Sequence, residues 1–449
     1  MLIINSRIIT WQKPNRLLVG QAVRIEKSQI EEVAPQRELL EKYPKDEIFD
    51  AHDQYLMPGL ICAHTHFYSA FSRGLYIPEE APSDFPEILK KLWWPLDQAL
   101  DKESIKISAL VSMIDAIKHG TTTLFDHHAS PNYITGSLDQ IEKAFAQAGL
   151  RGVVCYEVTD RGGIEKAEEG IAENIRMIQK IEKGKADTKV KATFGLHAGL
   201  TLSEATLEKC RKAIPARYGI HIHVAEHPND EYDSLHKTNE RVIQRLNRHN
   251  LLGKDSIIVH GVHLDIQEIM LLKQTESWLT HQPRSNMNNA VGMADIDSIL
   301  GTGLKVCLGN DGFSNAMWDE WRTCYLVHKN WNRDPRRMNG NSVVQMAVYN
   351  NADLARHFFN DTEIGSIDKG AKADLILVDY EPITEMTAEN LPWHIIFGFR
   401  DSMVTATMVD GEWLMKDRKL LKINEKEVAE KAVSYSKEVW KRYHDQFKQ

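Results

Sequence analysis

The sequence predicts an α/β protein: a (β/α)8 TIM-like barrel with a small β-sandwich domain built from both chain termini. Three features of the chain point there. Between Leu60 and Asp311, eight short apolar runs rich in β-formers alternate with longer amphipathic stretches, the pattern of a parallel sheet wrapped by helices. The two ends of the chain read instead as short strands and turns, in a similar style. A length of 449 residues allows two or three domains, or one barrel with an attachment. An open doubly wound sheet is the competing architecture. A sheet of that size usually curls or splits, which favours the closed barrel.

Residues 1–57 form the first part of the β-sandwich, through LIINSRIIT, QAVRIEKSQI and EIFDAHDQYLMP. Residues 58–363 form the barrel. Its strands are LICAHTH (60–66), TTTLFDHH (121–128), GVVCYEV (152–158), KATFGLHAG (191–199), IHIHVAE (220–226), SIIVHGV (256–262), SWLTHQP (277–283) and KVCLGND (305–311). Segments between them, such as SIKISALVSMIDAIKHG (104–120) and SEATLEKCRKAI (203–214), repeat apolar residues at three- and four-residue spacing, as helices do. Helical character continues from Asp311 to about Arg356. Residues 364–449 complete the sandwich through IGSIDKGAKADLILVDY (364–380) and MVTATMVDGEWLM (403–415). From about Asn424 they end in a charged amphipathic helix with a solvated polar face. No internal repeat suggests a solenoid.

Composition narrows the function. The net charge of -8 shows no basic excess, so no nucleic-acid partner is expected. Hydrophobic residues at 42% and charged residues at 26% fit a soluble globular protein. No apolar run is long enough for a transmembrane helix, so no membrane partner is expected. The start, MLIINSRIITW, lacks a basic n-region and a cleavable apolar stretch. The 5 cysteines contain no CxxC and read as reduced thiols rather than a disulfide frame or a thiolate zinc site. The expectation is a cytoplasmic enzyme, assembled as a homo-oligomer (dimer or higher).

The histidines sit where barrel enzymes keep their chemistry, at the C-terminal ends of strands. His64 and His66 end the first strand, His197 is late in the fourth and His223 late in the fifth. His260 ends the sixth and Asp311 the eighth. Residues two apart on a strand share a face, so His64 and His66 can converge on one ion. A lone His-x-His is more often a pair of hydrogen-bonded histidines, but four further polar strand ends turn the balance to a metal site. Neutral imidazoles with one carboxylate suit Zn2+ or Fe2+. His221 lies one layer deeper than His223 and reads as a buried structural histidine. Of Asp126, His127 and His128, at least one is expected to face the barrel mouth. Glu226 is alternatively a cap for the following helix, and His260 alternatively a satisfied core residue.

PGLICAHTH after a β-rich start, then HVAE, a later strand-end His, RSN and LGNDG resemble the amidohydrolase superfamily. Within it they are similar to the branch of guanine, cytosine and adenosine-type deaminases and triazine hydrolases, metal-dependent hydrolases that GSIDKGAKADLILVD also matches. KLWWPLDQAL, HGTTTLFDHHASPN, VCYEVTDR and LGNDGFSNAMWDE further resemble the SsnA aminohydrolase group, whose substrate the motifs do not reveal. The resemblance implies one divalent metal per chain, Zn2+ or Fe2+, held by His64, His66, His223 and Asp311. It implies that Asp311 also takes a proton from the metal-bound water. Glu226 would carry protons between water, substrate and leaving group, His260 would polarise the attacked centre, and His197 would help hold the substrate. Binuclear members bridge two metals with a carboxylated Lys on the fourth strand. Here Lys189 and Lys191 lie too early, which favours one metal. The family's Lys-containing stretch after RSN is replaced by MNNAVG, so a different substrate loop is expected.

The chemistry that follows is hydrolytic deamination of a purine- or pyrimidine-like nitrogen heterocycle. Ring opening of a cyclic amide or ureide and dechlorination of a triazine-like ring are the enzymatic alternatives; an inactive barrel scaffold is the non-enzymatic one. Phe67, Tyr68, Trp93 and Trp94 are expected near the mouth as aromatic walls, with Arg73, Arg161 and Arg284 as candidate anchors. Trp93 and Trp94 serve equally well as core or interface residues. No glycine-rich phosphate loop or basic cluster accompanies them, so the substrate is expected to be unphosphorylated.

Overall fold

The computed structural model describes residues 1–360 and 363–448. The chain positions 361, 362 and 449, which fall in the expected barrel and terminal segments, lie outside the described residues.

The eight expected barrel runs are parallel strands: Leu60–Thr65, Thr121–His128, Arg151–Tyr156, Phe194–Ala198, Ile220–Val224, Ile257–His260, Trp278–His281 and Val306–Leu308. All but one of their residues are buried, as both faces of a sheet must be when helices cover one side and side chains fill the other. Hydrogen bonding runs unbroken from the first to the third strand, and from the fourth to the eighth. Two parallel bridges close the ring, Val158 to Leu196 between strands three and four and Thr65 to Asp311 between eight and one. Each seam needs a glycine. A Cβ on Gly195 would lie 2.3 Å from the Tyr156 carbonyl oxygen, and one on Gly309 would lie 2.8 Å from the His64 backbone nitrogen. Closure at the second seam is what brings Asp311 to the first strand: its N–H donates to the His64 carbonyl at 3.1 Å, and its carbonyl accepts from His66 N–H at 3.1 Å.

Outside the barrel lie two further sheets. One joins Gln29–Pro35, Gln21–Glu26, Leu2–Ile4 and Ile48–Asp50. The other mixes the two chain ends. Leu375–Val378 runs antiparallel to Tyr55–Pro58, with Ile376 opposite Met57, and to Val404–Val409 on its other side. Ile3, Ile8, Val23, Leu56, Leu375 and Met408 belong to one apolar cluster between these sheets. Only Leu375–Val378 of the β-like stretch 364–380 is a strand; the turn-rich GSIDKG before it is not.

The terminal helix Glu425–Asp445 is capped by Asn424, whose side chain accepts from Glu427 N–H. It is more than a solvated appendage. Val428, Val439 and Tyr443 are buried, and three side chains donate to carbonyls of the segment after the first barrel strand. Trp440 reaches Phe71 at 2.8 Å, Tyr443 reaches Lys91 at 2.5 Å and Gln446 reaches Pro95 at 2.8 Å. No described helix is long and apolar enough to cross a membrane.

Deleting residues 364–449 removes one of the two strand partners of Tyr55–Pro58, leaving only Arg7–Ile9 beside it, and removes the carbonyl contacts above, leaving an open sheet edge. The truncated chain is expected to be insoluble on expression; a soluble, active product would show the ends to be independent appendages.

Candidate active site

The imidazoles of the strand ends are oriented by what their Nδ1 atoms touch. His66 Nδ1 donates to the His127 carbonyl at 2.5 Å, and His223 Nδ1 to the His197 carbonyl at 2.8 Å. A carbonyl can only accept, so Nε2 is the atom that each ring, when neutral, presents as a bare lone pair. Burial works against the charged form of His66, but the Asp311 carboxylate beside its Nε2 raises it to about 9, and an ion would take the place of that Nε2 proton. His64 Nδ1 pairs with His221 Nε2 at 3.0 Å, which leaves His64 Nε2 buried without a hydrogen-bond partner. These Nε2 atoms converge with the Asp311 carboxylate. His66 Nε2 is 3.2 Å from His223 Nε2 and 3.1 Å from Asp311 Oδ1, and His64 Nε2 is 3.8 Å from the same oxygen. His64, His66 and Asp311 offer ligand atoms that all lie within 4.8 Å of one another, and His64 and His223 share a second such group with His260. The orphaned His64 Nε2, common to both, is an atom that a divalent ion would satisfy. Burial and the neighbouring imidazoles push His64 and His223 well below the usual histidine range, in the neutral form a ligand needs.

A second group faces this set. Glu226 follows the fifth strand, past Ala225 in the left-handed region at φ 49°. It does not cap the next helix; His227 does, accepting from Asn229 N–H. Glu226 Oε2 lies 3.3 Å from His260 Nε2, and Asn289 donates to Glu226 Oε1 at 3.2 Å. His260 is set the opposite way from the ligands. The Asn286 amide donates to His260 Nδ1 at 3.1 Å, so Nε2 carries the hydrogen and points between Glu226 and Asp311 Oδ2, 3.8 Å away. Both His260 (φ 72°) and Asp311 (φ 57°) adopt left-handed backbone at their strand ends, a cost that persists where surrounding structure enforces it. Burial, and then the charge of Asp311, push the Glu226 carboxyl well above its ordinary range. Burial alone would raise Asp311 too, but the His66 bond holds it below. Two carboxyls pushed apart in this way suit separate acid and base roles.

The RSN motif is fully used. Arg284 is held by buried Glu320, Ser285 donates to Asp311 Oδ2, and Asn286 fixes His260. Asn289, which holds Glu226, comes from the MNNAVG stretch that departs from the family pattern.

The cavity beside these groups is walled by Tyr68, Trp93, Trp94, His197 and Glu226, among others. Several expectations are corrected. Phe67 does not line it: the chain enters a 3-10 turn at Phe67–Ser72, and the Phe67 ring turns outward, 1% exposed, against Phe145 at 5.5 Å. Arg73 ends that turn on the surface, outside the cavity. Arg161 is paired with Asp97 at 2.7 Å and stacked over Trp94, and Arg284 is paired with Glu320, so neither is a free anchor. None of Asp126, His127 and His128 reaches the cavity wall. Asp126 accepts from Phe67 N–H at 2.9 Å, His127 Nε2 donates to the His221 carbonyl at 2.9 Å, and His128 pairs with Ser130 at 2.9 Å. His221 is buried behind His64, as expected. Lys191 lies in the strand Val190–Ala192, ahead of the fourth barrel strand, whose end carries His197. The sequence reading missed Glu157 and Asp97, both 2% exposed and both on the cavity wall. Glu157 was findable: it is the one acid in the run GVVCYEV, at a strand end.

Comparison with known proteins gives the same family. The model of the amidohydrolase family matches residues 55–414. A 5'-deoxyadenosine deaminase of Methanobrevibacter smithii is 33% identical over 397 residues, covering 86% of this chain and 87% of that one. A 5-methylthioadenosine/S-adenosylhomocysteine deaminase of Haloarcula marismortui is 31% identical over 406 residues, covering 89% of this chain and 90% of that one. Among solved structures, a zinc-bound adenosine deaminase from Xanthomonas campestris superposes with a TM-score of 0.83 over 98% of each chain, at 20% identity. Matched by the family model over most of its length, and by relatives more than 30% identical along most of both chains, this chain belongs to the amidohydrolase family.

Proposed function

We propose that the protein is a metal-dependent aminohydrolase that removes the amino group of a purine- or pyrimidine-like heterocycle by hydrolysis, with adenine-type purines the first candidates. The observation that carries this is the meeting of Glu226, the N–H of His260 and Asp311 Oδ2 beside the Nε2 atoms of His64, His66 and His223. Deaminase relatives at about a third identity support the reaction class. The KLWWPLDQAL and LGNDGFSNAMWDE segments favour the SsnA group within the family. The acidic net charge and five buried free cysteines suit a cytoplasmic homo-oligomer with no nucleic-acid partner.

His64, His66, His223 and Asp311 would hold one divalent ion, Zn2+ or Fe2+. When bound, that ion supplies a water ionised near neutral pH. The remaining work falls to the chain. Asp311 accepts a proton from the attacking water. Glu226, held by Asn289, gives a proton to the ring nitrogen beside the reacting carbon, takes up the proton of the added hydroxyl and hands it to the amine; the proton on Asp311 then restores Glu226. The N–H of His260 steadies the oxygen as it adds. The carbon–nitrogen bond breaks, ammonia leaves and the ring keeps a carbonyl. Trp93, Trp94 and His197 hold the ring meanwhile. A screen of purines, pyrimidines and ureides, followed by absorbance and ammonia release, tests the reading; ring opening without free ammonia would replace it.

Three outcomes are expected. Elemental analysis should find about one tightly bound ion per active chain, lost in His64→Ala or Asp311→Ala; two would contradict the assignment. Glu226→Gln should keep the metal and lose roughly 10²–10⁴-fold in turnover, as general acid–base groups do; near-normal turnover would remove Glu226 from its role. Nucleobases or nucleosides should be used in clear preference to their monophosphates, because no cradle for a phosphate lines the cavity; the opposite preference would refute the substrate class.

A further inference from the structure

The wall of the cavity away from Glu226 carries an acid that the mechanism above leaves unused. Glu157 sits just beyond the third barrel strand, 2% exposed, on the cavity wall. Its Oε1 has no hydrogen-bond partner. It faces His127 Nδ1 at 3.2 Å and His66 Nδ1 at 3.4 Å, but His66 Nδ1 already donates to the His127 carbonyl. Its Oε2 lies 3.8 Å from His197 Nε2. His197 is fixed from behind. The Thr201 hydroxyl donates to the Ala198 carbonyl at 3.0 Å and so accepts from His197 Nδ1, 2.8 Å away. The neutral ring therefore turns a bare Nε2 toward Glu157 Oε2, and the wall offers two acceptors side by side with no hydrogen between them. A buried acceptor left unmatched is costly, and a substrate that supplies the donor gains what one without it forgoes.

The charge of the cavity points the same way. Asp97, Glu157, Glu226, Asp230 and Asp311 all line it, and no Lys or Arg among the described residues does. The nearest guanidinium, Arg161, is committed to Asp97. A carbonyl edge or an anionic group placed against Glu157 would meet only repulsion.

Building on the deaminase reading, we propose that Glu157 and His197 form a substrate-reading acceptor pair that selects an uncharged or cationic heterocycle presenting an N–H donor on the side away from the reacting amino group. Glu157 is a specificity residue here, separate from the proton transfers of Glu226.

The test uses the zinc-loaded full chain and three pairs of compounds that differ in one ring N–H remote from the amino group: adenine and 9-methyladenine, guanine and 9-methylguanine, cytosine and 1-methylcytosine. Ammonia release is measured as kcat and KM separately. In the pair that is turned over, the wild-type kcat/KM should favour the N–H member by 10–100-fold, mostly through KM, the size expected for one hydrogen bond to a charged group. Glu157→Gln should shrink that preference to under 5-fold while its zinc content stays at the wild-type level. Equal use of both members by the wild type overturns the proposal without any variant. A Glu157→Gln protein that keeps the full preference, or that loses zinc and slows on both members alike, also overturns it, because the carboxylate would then serve only to brace His127 and His66. Ammonia from none of the six compounds, with the zinc site filled, overturns this inference; the deaminase reading falls only if the wider screen, nucleosides included, also releases no ammonia.

Discussion

Backbone carbonyls at the strand ends govern the site. A carbonyl behind His66 and another behind His223 can each only accept a hydrogen, so the rings must turn Nε2 forward as lone pairs. Behind His64 stands another imidazole, with His221 Nε2 3.0 Å from His64 Nδ1. The two carbonyls sit on the strand next to the ring they steer, and His221 reaches His64 across the barrel from the fifth strand, so the ligand set is a direct product of the barrel's register and closure. His260 shows the reverse case. An amide from the RSN turn donates to it, and its forward nitrogen becomes a donor. One residue type thus supplies lone pairs on one side of the centre and an N–H on the other. For His66, His223 and His260 the difference lies in whether the partner behind is a carbonyl or an amide.

Closure of the barrel carries the next demand. Asp311 and His64 are far apart in sequence and meet because strand eight bonds to strand one. That seam tolerates no side chain at Gly309, where a Cβ would meet the His64 backbone. Asp311 then leaves the strand in left-handed backbone, with Ser285 holding Oδ2 and the metal-facing histidines near Oδ1. Strain at this point is stable because hydrogen bonds from the first strand and from the helix that carries Ser285 converge on it.

The periphery is tied to the centre more closely than a separate domain would be. The aromatic residues of the cavity belong to the segment after strand one, and that segment is bonded through its carbonyls to side chains of the C-terminal helix. The sheet that joins both chain ends fixes where that helix starts. The walls that would hold a ring therefore depend on residues almost the whole chain length away.

Strand positions and the ligand candidates were legible in the sequence, because both follow from local rules. Apolar runs of strand length between helical repeats gave the eight barrel strands, and alternation along a strand put His64 and His66 on one face. The RSN and HVAE segments were visible as motifs, but not the division of labour within them. What only the tertiary structure decided was direction. Phe67 follows His66 by one residue, yet a 3-10 turn sends it into the helix layer. Arg161 and Arg284 looked free and are paired with Asp97 and Glu320, which lie far away in sequence. Glu157, the one acid of an apolar run and unremarked in the sequence, stands among three histidines from strands one, two and four. Sequence period fixes which face a residue takes, because backbone geometry is local. The partner it meets across the barrel is set by closure and by turns at the strand ends, and those depend on packing along the entire chain.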